Sequence, residues 1–145
     1  MDGSPGARTA LEWAAAEARL RGSRLRAVQA WHLPAAAYGS GGFVPPVGIN
    51  WEDDLEQAAR AGLAKALDDA GGLLDGIEVE RHVDEGSAAA VLSEAAADAD
   101  LLVVGARGHG GFIGLVLGSV SDQCTRHAHI PVVVVPALEE HPSSS

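Results

Sequence analysis

The stretch Val103-Val104-Gly105-Ala106-Arg107-Gly108, followed after nine residues by Gly118-Ser119-Val120-Ser121, constrains this chain more than any other. It joins an apolar strand to a helix through glycine and hydroxyl groups. Glycine reaches backbone conformations closed to other residues and lets the main chain come close to a ligand. The first N–H groups of the following helix point outward with the helix dipole behind them. A phosphate or another anion fits such a corner.

The rest of the composition limits what that anion belongs to. With 145 residues, 47% hydrophobic and 21% charged, the chain suits one compact domain over residues 1–138, and residues 139–145 read as a disordered tail. A net charge of -10 opposes general attraction to nucleic acid or to anionic lipid, so phosphate recognition has to be local. Cys124 is the single cysteine, which rules out an internal disulfide framework. Without a leader-like start or a long apolar run, the chain reads as cytoplasmic, with small molecules or proteins as partners.

Ser4-Pro5 opens a helix that runs to about Leu20, with Leu11, Ala15 and Ala18 inward, and Gly22-Ser23 ends it. Arg24 to Trp31 alternates as a strand, with Leu25, Ala27 and Gln29 on one face and Val28 and Ala30 on the other. Leu33 to Asn50 has no period and reads as a long loop. Asn50 caps the next helix, which carries Glu52, Asp53 and Asp54 in its first turn, turns Leu55, Ala59, Leu63 and Leu67 inward, and stops at Gly71-Gly72. Ile77 to Val83 reads as an edge strand, Ser87 to Ala97 as a helix, Asp100 to Ala106 as an apolar strand, Ser119 to His127 as a helix and Pro131 to Val135 as a last strand.

Strands alternating with helices predict an open α/β fold: a parallel sheet with right-handed crossovers and helices on both faces, binding ligands beyond the carboxyl ends of the strands. The glycine loop lies at such an end. Four strands are countable, and Met1-Asp2-Gly3-Ser4 starts as though a strand should lead into it.

The spacing Gly-x2-Gly-x9-Gly-Ser, at Gly105, Gly108, Gly118 and Ser119, resembles the nucleotide-binding signature of the universal stress proteins. The likeness extends through Asp2-Gly3-Ser4, Val28 to Trp31, Gly86-Ser87 and the closing His127 to Val135. What the resemblance implies is a Rossmann-like three-layer sandwich of the adenine nucleotide hydrolase type. Its five strands would run in the order three, two, one, four, five, with ATP at the switch point. Asp2 would then face the adenosine, and Ala30 and Val104 would line the adenine pocket. Gly105 and Gly108 would let the loop close over ribose and phosphate, and Gly118, Ser119, Val120 and Ser121 would bind the phosphates. The implied cofactor is ATP, with or without magnesium; ADP, AMP and cyclic AMP would engage parts of the same site. Pairing of the last strand, Val132 to Val135, between two protomers is implied as well, because an apolar edge strand must be covered. Pro131 and Pro136 would limit that ladder.

The chain departs from the family at its first, central strand, of which only Met1 remains before Asp2-Gly3-Ser4. The expectation is a start placed too late or trimmed; otherwise the second and fourth strands of the family order must pair directly or recruit another segment. A Walker A loop is excluded, since the one lysine, Lys65, sits within a helical pattern, and no Gly-x-Gly-x-x-Gly falls in register from Gly105 to Gly114. No nucleophile elbow or metal-binding motif occurs. Arg107 and His109 are loop residues able to steady phosphate charge. His82 with Asp84 and His127 with His129 are pairs lacking a third ligand. Cys124 and the tryptophans Trp13, Trp31 and Trp51 read as packing residues. The expected function is a nucleotide-dependent stress-response regulator, not an enzyme. A nucleotide-free interaction protein is the alternative, and a slow ATP hydrolase ranks third.

Overall fold

The computed structural model describes residues 5–32, 51–106 and 118–136. Helix α1 spans Pro5–Arg21. Proline at its first position needs no N–H partner there and brings a φ already suited to a helix. At the other end Gly22 takes φ 66°, Ser23 N–H bonds Ala18 O at 2.9 Å and Gly22 N–H bonds Arg19 O at 3.4 Å, a Schellman termination. Leu11, Ala15 and Ala18 are buried, as their spacing predicts.

Strand β1, Leu25–Trp31, pairs in parallel with β2, Val79–Glu85, in one unbroken register from Leu25 opposite Val79 to Trp31 opposite Glu85. Helix α2, Trp51–Ala70, connects them and ends where Gly71, at φ 52°, turns the chain into a 3-10 turn over Gly71–Leu74. The second strand therefore begins two residues later than the expected Ile77. Its alternation has the same phase either way, and the ladder with β1 decides the ends. Helix α3, Ala88–Ala95, starts at Ser87, whose hydroxyl accepts the Ala90 N–H at 3.2 Å. Strand β3, Leu102–Gly105, pairs in parallel with β4, Val132–Val135, and α4, Ser119–His127, lies between them in sequence.

Two apolar layers follow from the alternation. On one face Ala27 of β1 packs with Leu11 of α1 and Leu63 and Leu67 of α2. On the other, Leu102 and Val104 of β3 pack with Ala89, Ala96 and Cys124, and the near side of β4 closes over them through Val132 and Val134. The fold is the open, parallel α/β sandwich the sequence predicts, with α1 and α2 on one face and α3 and α4 on the other.

Among the described residues the strands form two two-stranded ladders, β1 with β2 and β3 with β4, and no ladder joins β1 to β3. Direct pairing across that boundary, one of the two alternatives to a late or trimmed start, does not occur among the described residues. Helices span it instead: α1 packs against β3, β4 and β1, and α3 packs against β1, β2 and α4.

A polar clamp sits near the start of β1. Arg26 donates to Glu80 at 2.9 Å, to Asp98 at 2.7 Å and to Ala95 O at 2.6 Å, tying β1 to β2 and to the carboxyl end of α3. Hydrogen bonds to Asp98 and then Glu80 raise the Arg26 pKa, and the same Arg26 contact lowers that of Asp98.

Candidate functional site

The corner begins where β3 ends. Gly105 is the last residue of that strand, and a Cβ built on it would lie 2.7 Å from Gly6 O and 2.8 Å from Gly6 C. Main chain therefore meets main chain, and the first turn of α1 is seated against the end of β3. Glycine is required at 105 by packing alone, whatever binds nearby. Ala106 N–H continues the ladder by bonding Val135 O at 2.9 Å.

Helix α4 arrives at the same place. Gly118 is its N-cap, in extended backbone at φ -65° and ψ 163°, and no side-chain cap bonds there. Gly118 N–H donates to Ala106 O at 2.7 Å, and the first intrahelical bond runs from Asp122 N–H to Gly118 O at 2.9 Å. The N–H groups of Ser119, Val120 and Ser121 precede that bond and are the donors a helix start leaves available. The first turn of α1, through the Gly6 main chain, and the amino terminus of α4 thus both lie against Gly105 and Ala106, and the α4 terminus carries the equivalent of about half a positive charge. Asp122 is the one acid in the first turn of α4; its carboxylate accepts from Arg126, one turn further on, at 3.2 Å.

The expected site residues divide into three groups. Gly105, Gly118, Ser119, Val120 and Ser121 are brought together, but their side chains point to different tasks. Ser119 is exposed, while Val120 packs on the core beside Val104 and Cys124. Ser121 is only 2% exposed, and its hydroxyl donates to Ala106 O at 2.9 Å and Gly118 O at 3.0 Å. Val104 is buried with its side chain in the core between α3 and α4, and Ala30 is half-buried near the end of β1. Asp2, Gly108, Arg107 and His109 lie outside the described residues.

The remaining candidates carry no cluster. His82 Nε2 stands 4.0 Å from Asp84 Oδ2 on an exposed edge, and no group of three metal-ligating side chains occurs among the described residues. Burial pushes the Cys124 thiol pKa up, which suits a packing residue and disfavours the reactive thiolate. Of the tryptophans, Trp13 is on α1 and Trp31 ends β1; the side chain of Trp51 lies outside what is described. Sequence reasoning missed the part played by Gly6. Its signal was there, since glycine is a poor residue for the first turn of a helix unless something approaches it closely.

The profile of the universal stress protein family matches residues 1–136. A universal stress protein of Mycolicibacterium smegmatis is 38% identical over 135 residues, covering 93% of this chain and 43% of the relative. The chain spans a little under half the length of the curated relatives it matches. Among solved structures, the universal stress protein UspA of Lactobacillus plantarum superposes with a TM-score of 0.70 at 19% identity, over 93% of this chain and 92% of its own. That of Archaeoglobus fulgidus, solved in complex with dAMP, gives a TM-score of 0.53 at 25% identity, over 93% of this chain and 91% of its own. The family match over nearly the whole chain and the fold agree. The chain belongs to the universal stress protein family.

Proposed function

We propose that this chain binds an adenine nucleotide, ATP in the first instance with magnesium as its companion ion, at the corner formed by Gly105, Ala106 and the first turn of α4. The bound state would then regulate its partners in a stress response. The observation that carries this reading is the amino terminus of α4 brought by the Gly118 to Ala106 bond to the end of β3, where Gly105 lets main chain come close to main chain. Phosphate oxygens meet the outward N–H groups and the positive dipole end of α4 there, with no lysine needed. The Archaeoglobus fulgidus relative solved with dAMP supports the choice of an adenine nucleotide.

Roles within the corner follow from placement. Gly118 leaves the approach to α4 open, the N–H groups of Ser119 and Val120 donate to phosphate, and the exposed Ser119 hydroxyl adds a further donor. Gly108 and Asp2 complete the ribose and adenosine side by resemblance to the family. Binding rather than turnover is the proposed activity, in the cytoplasm, and the outer edge of β4 is the proposed contact with a second protomer.

The test is a calorimetric titration of ATP into wild type and Gly118→Leu. Gly118 has a backbone that any residue adopts, so the variant is expected to keep its helix content and melting temperature. Loss of one or two charge-assisted bonds weakens ATP by about 10- to 100-fold. Equal affinity in the two proteins would refute the site.

A further inference from the structure

The hydroxyl of Ser121 is the one polar side chain in the buried set of the described residues, and both of its acceptors belong to the corner. It has a single hydrogen to offer, shared between Ala106 O at 2.9 Å and Gly118 O at 3.0 Å. Those two residues are the points from which the chain leaves β3 and enters α4. Gly118 N–H to Ala106 O, at 2.7 Å, is the third bond between the same partners. A short hydroxyl therefore bridges the two backbone positions that fix how the α4 amino terminus faces the end of β3.

We propose that Ser121 is a positioning residue for nucleotide binding: from its buried place it holds Ala106 and Gly118 together and aims the free N–H groups of α4, and it does not touch the nucleotide. The proposal rests on the nucleotide reading above. It reassigns Ser121 from the phosphate-binding role its place in the motif implies to one exerted through Ala106 and Gly118. Burial favours this assignment, since a side chain 2% exposed and already bonded inward has no free hydrogen for a phosphate oxygen.

Two variants of the full chain test it, Ser121→Ala, which removes the hydroxyl at nearly constant volume, and Ser121→Thr, which restores it. Amide hydrogen exchange at Gly118 is followed in nucleotide-free protein, and ATP affinity is measured by titration on the same samples. The expected result is that Ser121→Ala speeds Gly118 exchange and weakens ATP, each by about tenfold, and that Ser121→Thr reverses both. Weakened ATP with unchanged Gly118 exchange would show direct contact with the ligand and overturn the proposal. Faster exchange with unchanged ATP affinity would overturn it too, because the bridge would then serve the fold alone. A wild-type protein that takes up no ATP overturns the nucleotide reading and this role with it, and the wild-type titration distinguishes that failure from the other two.

Discussion

A methyl group on Gly105 would sit 2.7 Å from the carbonyl oxygen of Gly6, closer than real Cβ atoms come to backbone, and neither partner is a side chain that can swing aside. Gly105→Ala is therefore expected to destabilise the fold by about 1–3 kcal/mol in urea denaturation, with nucleotide present or absent. A loss seen only with nucleotide would contradict the packing account. The motif marked this glycine as special, yet its reason lay in a contact between residues 99 positions apart that no local pattern encodes. Ser121 shows the same gap from the other side: the spacing flagged its hydroxyl, and only the fold reveals that it faces inward. At Asp98 the prediction concerns acid. Arg26 holds this carboxyl below its ordinary 3.8, so its contribution is complete above that value in the unfolded chain and is lost as pH falls through the lower folded value. The stability difference between wild type and Asp98→Asn, measured by denaturant, is expected to stay level from about pH 7 to about pH 5 and to close at more acid pH. A difference that persists unchanged there would show that the ion pair contributes nothing.

At the scale of elements, punctuation carried the helices. Pro5 and Gly22 bound α1, Gly71 ends α2, and Ser87 caps α3, each for a reason visible in one or two residues. Gly22→Ala places a Cβ at φ 66° and is expected to cost about 1 kcal/mol, whereas Leu20→Ala, on a side chain 82% exposed, is expected to change little. Equal melting temperatures for wild type and Gly22→Ala would remove the termination argument. Strand ends were less legible. A period of two gives the inward and outward residues of β2 without saying where it starts, and the register with β1 is a property of the pair. The inward set itself was readable, since Leu25 and Ala27 do face α2 while the alternate residue Arg26 faces α3. The Arg26 clamp was not, because Glu80 and Asp98 come from elements far along the chain.

For the whole molecule, alternation of strands and helices was enough to give an open parallel α/β fold with helices on both faces, and among the described residues its ladders are β1 with β2 and β3 with β4. What joins the two halves among the described residues is helix packing rather than a ladder, through α1 on one face and α3 on the other. The β4 strand pairs with β3 on one side, and its apolar run Val132–Val135 makes the outer edge the natural place for a second copy. Sedimentation velocity at micromolar concentration is expected to show a dimer, and a monomer at that concentration would contradict the edge-pairing proposal. Nucleotide held at the corner where α1 and α4 meet Gly105 is released by denaturing the purified protein and measured by anion-exchange chromatography. An adenine nucleotide in near-stoichiometric amount is expected from wild type, and its loss is expected from Gly118→Leu. Release of equal amounts from both proteins, or none from wild type even after incubation with ATP, would contradict it.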